Sequence, residues 1–405
     1  MNVKIDKLVY GGNGMGRLAD GRAVFVPFCL PGEVVNVNII QEKKNYIRTE
    51  LVEILEPSDI RVEAKCGHFT KCAGCHYQHM EYVQQLKVKK EIFIEQLSRL
   101  ADVDNPVVSE VIASSKEWGY RSYQHFFLDE NQVLSYPNSQ KSALFNVESC
   151  PILEDSINAL WKSLDMTSAD DIERIVIKTG SEEQNMILFE GENADIPDIV
   201  VDFPVSVTYL NTNGLFVISG DDHIYVNILE QRFRVTAPSF CYPNLLALEQ
   251  LVRLVNEKAL INDDTVFMNI YSGIGLFSYF ITPKVKKCIA LDPDPSVCLD
   301  FAINLDEFDN VNLYEGTIES ILPYIEDVPE VLLLTPQSQG LDKIIIDRLN
   351  DWMPEQIIYV SVDAATFSRD AKKIIAKGYK LSESLLVDIY PQTFKITSIN
   401  IFLKN

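Results

Sequence analysis

Four cysteines place the strongest constraint on how this chain folds. Cys66, Cys72 and Cys75 lie within ten residues of one another, and Cys150 is a plausible fourth thiol from a distant segment. Thiolates at such spacing usually hold a metal centre, and a set of four suits either an iron–sulfur cluster or a tetrahedral zinc ion. If they share one centre, the fold must bring residue 150 back to the loop at 66–75.

Histidines beside these thiols keep the identity of the metal open. His68, His76 and His79 are three of the five histidines in the chain. Zinc binds histidine nitrogen as well as cysteine sulfur. From residue types alone, iron–sulfur and zinc are about equally well supported, and free thiols are the less favoured interpretation.

The composition indicates a folded protein of two or three domains. The chain has 405 residues, 47% of them hydrophobic and 23% charged, which is ordinary for a soluble protein. The longest apolar stretch, 266–281, is interrupted by Asn269, Ser272 and two glycines, so no membrane span is predicted. The first residues lack the pattern of a secretory signal, and eight unpaired cysteines favour a reducing compartment. We expect a cytoplasmic monomer with no membrane partner.

Charge is distributed unevenly along the chain. The formal net charge is −22, of which residues 131–405 contribute −20 and residues 1–130 only −2. A strongly acidic surface repels phosphates. Any face that binds nucleic acid is therefore expected in the N-terminal third, and the remainder is expected to be a solvated acidic surface.

Residues 1–57 are predicted to form a small β-barrel. Three strand-like runs occur at 23–28, 33–40 and 46–55, and glycine-containing turn signals separate them. Barrels of this size often bind RNA, although many only pack against neighbouring domains.

Residues 58–235 are predicted to form a β-rich central domain that carries the cysteines. An amphipathic helix is expected over 82–100, with Lys87, Lys89 and Lys90 mostly outside its apolar stripe. These lysines could contact phosphates, but such a run is more often a solvated helix face. Several strand-like runs follow between 107 and 235.

Residues 236–405 alternate between strand-like and helix-like segments. Buried strands are predicted near 266, 288, 311, 330, 356 and 398, mostly with helices between them. This alternation predicts a mostly parallel, doubly wound α/β sheet.

A glycine-rich turn follows the first of these strands. In the segment 269–277, Gly273 and Gly275 stand between the strand and a predicted helix. Glycines allow a ligand to approach the backbone closely. Asp292 ends the next strand, where a carboxylate can accept hydrogen bonds from ribose hydroxyls. Together these features indicate a nucleoside-cofactor site, although the glycine pair alone is a weak signal.

Over its whole length the chain resembles the class I, S-adenosylmethionine-dependent RNA uridine-5-methyltransferases of ribosomal and transfer RNA. The resemblance rests on the barrel, the cysteine set, and the segments 118–122, 239–244, 269–277, 359–370 and 390–397. It implies an N-terminal OB-like TRAM barrel, a [4Fe–4S] cluster on Cys66, Cys72, Cys75 and Cys150, and a Rossmann-like methyltransferase domain. It also implies structured RNA as the partner.

The family's catalytic residues are missing at the matching positions. As the resemblance implies, the family adds a cysteine thiolate to carbon 6 of uracil and later removes the carbon-5 proton with a carboxylate. Here Val362 occupies the position of the nucleophile and Thr397 that of the base. Neither side chain can perform those steps near neutral pH. Cys241 is the nearby thiol that could act instead, which we consider a minor alternative.

The cofactor positions have also changed. The resemblance assigns binding of the methyl donor to Tyr242, Tyr271, Gly273, Gly275, Asp292, Thr317 and Thr335. Tyr242 stands where the family has glutamine, and the segment 335–338 has lost an acid and a cation. Tyr271 and Asp292 remain compatible with cofactor binding.

Three hypotheses follow from the sequence. The chain either keeps the family's architecture, cluster and RNA binding without methyl transfer, or methylates RNA with substituted catalytic residues, or serves as a cluster-bearing scaffold that binds neither ligand. The missing nucleophile and base favour the first hypothesis.

Overall fold

The computed structural model describes residues 1–164, 172–192 and 204–405. Among the described helices, none combines the length and the hydrophobicity needed to cross a lipid bilayer. Three main sheets, each with its own strand order, organise these residues.

The N-terminal segment forms a six-stranded sheet in the order β1-β5-β6-β4-β3-β2. Its strands are β1 Asn2–Lys4, β2 Lys7–Leu8, β3 Asn13–Arg17, β4 Ala23–Pro27, β5 Val34–Glu42 and β6 Tyr46–Glu56. Alternate residues such as Val24, Val26, Val35 and Val37 point into a separate apolar core. The three predicted strands lie within one or two residues of the observed ones.

A long helix, α1 Tyr82–Ala101, follows the cysteine loop. Its apolar face packs against the C-terminal domain, where the rings of Phe93 and Phe367 stack with centroids 5.9 Å apart. Asp102 ends the helix in a left-handed conformation, with a φ of 56°.

The central sheet has seven strands in the order β10-β9-β8-β11-β12-β13-β14. They are β8 Tyr123–Leu128, β9 Leu134–Pro137, β10 Leu144–Asn146, β11 Arg174–Thr179, β12 Asn185–Glu190, β13 Ser206–Asn211 and β14 Gly214–Ser219. The helix α2 Asp155–Ser163 covers one face, where Trp161 and Phe126 belong to the core. A separate hairpin follows, made of β15 His223–Ile228 and β16 Gln231–Thr236.

The C-terminal sheet has eight strands in the order β19-β18-β17-β20-β21-β23-β22-β7. They are β7 Val108–Ile112, β17 Val266–Ile270, β18 Lys287–Asp292, β19 Val311–Glu315, β20 Val331–Leu334, β21 Gln356–Ser361, β22 Tyr379–Val387 and β23 Thr397–Lys404. The five strands from β19 to β21 run parallel, and β23 is antiparallel to both of its neighbours. Apolar side chains on both faces form two large cores, as a sheet covered by helices requires.

Six helices accompany this sheet. They are α3 Leu245–Lys258, α4 Leu276–Ile281, α5 Pro295–Asn304, α6 Ile318–Ile321, α7 Lys343–Trp352 and α8 Ala364–Ala376. Short 3₁₀ turns at Thr282–Lys284 and Leu322–Tyr324 extend α4 and α6. The predicted doubly wound α/β architecture, with a barrel before it, is confirmed.

The sheets do not follow the predicted division of the chain at every point. Strand β7 lies within the predicted central segment 58–235 but pairs with β22 of the C-terminal sheet. Helix α1 packs on α8 of the same domain. The division into 1–57, 58–235 and 236–405 remains a hypothesis about domains, and residues 82–112 structurally complete the last of them.

Candidate functional site

A cavity of about 380 Å³ opens at the carboxyl ends of three neighbouring parallel strands. Tyr271 directly follows β17, Thr335 directly follows β20, and Val362 directly follows β21. All three side chains line the cavity. Ligands of open α/β sheets bind at this edge, so the fold brings together three residues that are up to 91 positions apart in the sequence.

The glycine turn forms part of the cavity wall. Gly273 lines it and has a φ of +58°, and a Cβ built on Gly273 would meet no atom within 4 Å. Gly275 has a φ of +86° and faces the protein interior, where a Cβ would lie 2.3 Å from Cδ1 of Leu305. The first glycine therefore leaves space for a ligand, whereas the second is required for packing.

Hydrogen bonds hold Tyr271 and Thr335 in place. The Tyr271 hydroxyl donates to Oδ2 of Asp342 at 2.8 Å, and the Thr335 hydroxyl donates to the carbonyl of Tyr271. Tyr271 itself adopts a left-handed φ of 63°. Burial and the nearby Asp342 carboxylate raise the pKa of Tyr271, so its ring stays neutral.

Two predicted cofactor residues, Asp292 and Thr317, accept hydrogen bonds from nearby backbone. Asp292 is only 7% exposed and accepts backbone N–H groups from Gly273 at 2.9 Å and Asp294 at 3.1 Å. Burial raises its pKa. Thr317 caps α6 by accepting the N–H of Ser320 at 3.3 Å. Neither residue is among those that line the cavity.

The two family positions for catalysis lie in different surroundings. Val362 lines the cavity with its isopropyl group. Thr397 begins β23, is 1% exposed, and has a hydroxyl without a hydrogen-bond partner among the described residues. No aspartate, glutamate or histidine is among the described residues that line this cavity.

Aromatic rings form much of the remaining wall. Tyr242, as predicted, lines the cavity, together with Tyr123, Phe240 and Tyr390. Phe240 contacts Tyr242 with ring centroids 5.5 Å apart and Tyr123 at 6.2 Å. It remains 54% exposed, which is unusual for a phenylalanine. Flat apolar walls of this kind suit the face of a nucleobase.

Cys241 and Lys395 contribute the remaining polar chemistry. Burial raises the pKa of the Cys241 thiol to about 11, so almost all of it is protonated at neutral pH. The ammonium of Lys395 lies over the Tyr390 ring, 4.8 Å from its centroid. No local sequence pattern marks Lys395 as a site residue, because it meets Val362 in one cavity only after β21 and β23 have paired.

All four predicted cluster cysteines line a second cavity, of about 240 Å³. The Cys72 sulfur accepts the N–H of Gly74 at 3.3 Å, and the Cys150 backbone is held by the Asn158 amide at 3.0 Å. Burial, followed by the neighbouring thiols of Cys150 and Cys66, raises the pKa of Cys72 to about 11. Among the described residues, no three His, Cys, Asp or Glu side chains are arranged closely enough to hold a metal ion.

The histidines beside the thiols separate from them. Of these three histidines, only His68 lines the cysteine cavity, and the more distant His125 lines it as well. His76 packs edge-on against Phe394, with ring centroids 4.7 Å apart, and the His79 ring is tilted by 34° against Phe69, with centroids 5.2 Å apart. Burial lowers the pKa of both to about 4. Because both rings pack against aromatic side chains, His76 and His79 are less suited than the thiols to bind a metal.

The predicted phosphate-facing lysines differ from one another. Lys87 is exposed and Lys90 pairs with Glu110. Lys89 is only 1% exposed, because it donates to Oδ1 of Asp388 at 2.7 Å and to the Tyr390 carbonyl at 3.0 Å. The expectation that Lys89 lies on a solvated face was therefore wrong, and this lysine holds the loop that carries Tyr390.

Comparison with known proteins agrees with this geometry. Residues 1–52 match the TRAM domain family. The chain is 27% identical to an uncharacterized RNA methyltransferase of Aquifex aeolicus, over 98% of this chain and 97% of that protein. It is also 27% identical to an uncharacterized RNA methyltransferase of Treponema denticola, over 100% and 99% of the two chains.

A solved structure shares the complete fold. The crystal structure of Pyrococcus abyssi tRNA (uracil-54, C5)-methyltransferase in complex with S-adenosyl-L-homocysteine superimposes with a TM-score of 0.77 at 19% identity, covering 100% of both chains. The predicted combination of a TRAM barrel with a class I methyltransferase fold is confirmed.

Proposed function

We propose that this chain, a homologue of the RNA uridine-5-methyltransferases, binds structured RNA and S-adenosylmethionine but no longer methylates carbon 5 of uracil. One observation carries the proposal. The cavity at the strand ends presents Val362 where the reaction needs a thiolate, and the described residues that line it include no carboxylate. A nucleobase can enter such a cavity without reacting in it.

The chemistry explains why Val362 is decisive. Carbon 5 of uracil is a weak nucleophile until a thiolate adds to carbon 6 and turns the ring into an enolate. An isopropyl group has no lone pair with which to form that bond. Loss of a covalent nucleophile alone can lower kcat by about a million-fold.

Thr397 cannot perform the second half of the reaction, in which a base removes a proton. After methyl transfer, a base must take the proton from carbon 5 before the thiol can leave. A threonine hydroxyl is too weakly basic for this, and that of Thr397 is buried outside the described lining of the cavity. Restoring one of the two residues therefore restores only part of the cycle.

The cavity fits the neutral parts of a methyl donor. Gly273 leaves its wall open, and Tyr242, Tyr271 and Thr335 surround the space with rings and a methyl group. S-adenosylmethionine, when bound, supplies an electrophilic methyl group. Asp292 keeps lone pairs for a ribose hydroxyl beside the two backbone N–H groups it accepts. We expect weaker binding than in an enzyme that keeps the lost acid and cation.

The cysteine cavity fits a cluster better than a single ion. Four soft thiols line one cavity, and the cationic Arg121 lines it beside them. A [4Fe–4S] cluster spans several ångströms between its ligands, whereas zinc needs all donors within about 2.3 Å of one point. Cys66, Cys72, Cys75 and Cys150 would hold the cluster. Because three of these lie in one loop and the fourth precedes α2, its role would be to brace the fold.

Binding and turnover must be measured on the same protein. Titration calorimetry with S-adenosylmethionine and S-adenosylhomocysteine, and a filter-binding assay with ribosomal and transfer RNA, are expected to show binding. Incubation with methyl-labelled S-adenosylmethionine and the same RNAs is expected to leave uridine carbon 5 unlabelled. Stoichiometric label at that carbon would refute the proposal.

A second candidate is an active methyltransferase that uses another thiol. Cys241 lines the same cavity as Val362, which is the specific observation in its favour. This candidate predicts a denaturant-stable adduct with RNA that contains 5-fluorouridine, and its loss in the Cys241→Ala variant. The raised pKa of the Cys241 thiol opposes it.

A further inference from the structure

A third cavity, of about 450 Å³, adjoins the candidate site. It lies over the face of the central sheet that is turned away from the Trp161 core. Arg174, Val176 and Lys178 alternate along β11 and line it, whereas Ile175 and Ile177 point into the core. The alternation of side chains along β11 therefore forms one wall of this cavity.

Lys178 is the unusual residue of this cavity. It is only 8% exposed, and its ammonium donates to the carbonyl of Ser239 at 2.6 Å. No carboxylate forms an ion pair with Lys178 among the described residues. An ammonium carries three N–H donors. A buried cation with one neutral acceptor is costly unless something else satisfies it.

The other charges of the cavity are already matched. Arg174 forms an ion pair with Glu190. The carboxylate of Asp294 caps α5 by accepting the N–H groups of Ser296 at 2.9 Å and Val297 at 3.4 Å. Burial lowers the pKa of Lys178 to about 8, which still leaves it mostly charged at pH 7.

A neighbouring histidine adds a second unsatisfied group. His125 lines the cavity from β8, opposite Val176, and its Nδ1 is buried without a partner among the described residues. Burial and the nearby Arg174 lower its pKa to about 4, so the ring is neutral. Lys178 is thus the cation of this cavity that forms no ion pair among the described residues, although the carboxylates of Asp300 and Glu190 favour its charge from a longer distance.

This cavity is continuous with the one at the strand ends. Tyr123, Phe240, Cys241 and Gln337 line both. Phe240 stands between them as an exposed ring. A ligand with a flat base in the first cavity can therefore place its next charged group in the second.

We propose that this third cavity binds a phosphate group through Lys178, next to a nucleotide whose base occupies the cavity at the strand ends. The RNA form of this inference rests on the proposed function. A phosphate oxygen supplies the negative charge and the acceptors that the Lys178 ammonium lacks. The aromatic residues shared by the two cavities then bind the sugar and base between the two sites.

Lys178→Gln tests the proposal by fluorescence anisotropy with a labelled stem–loop RNA. We expect the variant to bind the RNA about tenfold more weakly than wild type. Over about 50 to 300 mM KCl, we expect the slope of log affinity against log salt concentration to be smaller for the variant by about one. Lys286→Gln is the matched control. Lys286 is exposed and directly precedes β18, at the end of that strand away from Asp292, so its substitution should change neither the affinity nor the slope. Equal binding by wild type and Lys178→Gln would overturn the phosphate site and leave RNA binding intact. No binding by wild type would overturn the proposed function itself.

A second measurement needs no variant. Wild-type protein is acetylated with acetic anhydride in three states, namely alone, with the stem–loop RNA and with inorganic phosphate, and labelling is read residue by residue by mass spectrometry. Protection of Lys178 by RNA identifies the RNA backbone as the source of the phosphate, and protection only by inorganic phosphate identifies a free anion. Equal labelling of Lys178 in all three states, with Lys286 as the internal standard, would exclude the site.

Discussion

Tyr10 of the N-terminal barrel donates a hydrogen bond of 2.5 Å to Oδ2 of Asp363, the residue that follows Val362. Asp363 uses its other oxygen to cap α8 by accepting the N–H of Thr366 at 2.8 Å. The same tyrosine ring packs edge-on against Phe394, with centroids 5.5 Å apart. The barrel is thereby fastened to the loop that carries Val362 and to the segment that leads into β23, which begins with Thr397.

Loss of this contact should loosen the barrel. Tyr10→Phe keeps the ring but removes a hydrogen bond to a carboxylate, which is expected to lower the free energy of unfolding by about 1.5–3 kcal/mol. Urea denaturation measures the change. Tyr46→Phe is the control, because Tyr46 lies in the same barrel and its ring contacts Phe25 and Arg48. Equal stability of the two variants would contradict the assigned role of Tyr10.

The two glycines of the cavity turn should tolerate alanine differently. Gly275→Ala must place a Cβ 2.3 Å from Leu305, in addition to the left-handed backbone. Gly273→Ala meets only the backbone cost, about 1–2 kcal/mol. We expect Gly275→Ala to lose at least about 1 kcal/mol more in chemical denaturation, since overpacking adds to strain. The reverse order would show that the turn is arranged differently.

The buried pair of Lys89 and Asp388 should be costly to break. Both side chains are 0–1% exposed. Lys89→Met leaves the carboxylate without its partner and is expected to cost about 3–5 kcal/mol. The double variant Lys89→Met, Asp388→Asn should recover part of that loss, and urea denaturation of all four proteins gives the coupling. Additive losses would show that the two groups act independently.

The cluster proposal predicts a cysteine-specific loss. Cys150→Ala should abolish visible absorption and lower the content of iron and sulfide, which we expect at roughly four each per wild-type chain. Cys29→Ala is the matched control, since Cys29 is buried in the barrel away from the cysteine cavity. Stoichiometric zinc in the wild-type protein would contradict the cluster proposal and indicate that the cysteines bind a single ion.

The alkylation of Cys241 should depend steeply on pH. Its pKa is raised from 9.0 to about 11, so its thiolate fraction below pH 9 is about 100-fold smaller than that of an ordinary cysteine. Reaction with iodoacetamide should accelerate tenfold per pH unit up to about pH 11, as measured by peptide mass spectrometry. The same peptide in urea-unfolded protein is the control. Fast alkylation at pH 7.5 in the folded protein would instead favour Cys241 as a nucleophile.

Local sequence patterns were sufficient to predict the helix α1 and three strands of the barrel. The helix predicted over 82–100 spans Tyr82–Ala101, and the barrel strands lie close to their predicted positions. Hydrophobic periodicity and turn residues act over a few positions, so a sequence reveals them directly. The helical stripe did not reveal the position of Lys89, because its partner lies 299 residues away.

The strand-end site was only partly predictable. Five residues that the resemblance assigned to the cofactor site or the nucleophile position line one cavity, namely Tyr242, Tyr271, Gly273, Thr335 and Val362, and their binding roles stay predictions. Asp292 and Thr317 instead bond to nearby backbone, a choice that depends on loop geometry. Phe240, Tyr390 and Lys395 lie in three different positions along the chain, and only the tertiary structure brings them to one cavity.

The sequence by itself determined the order of the elements and the spacing of the four thiols, because each depends on residue type or short spacing. The assignment of Val362 to a nucleophile position rests on the family resemblance and stays a prediction. Tertiary structure decided which charges are satisfied. It buried Lys89 against Asp388, left Lys178 without an ion pair among the described residues, and joined Tyr10 to Asp363. Burial and partners are set by segments far apart in the chain, and they decide the free energy of a charged group.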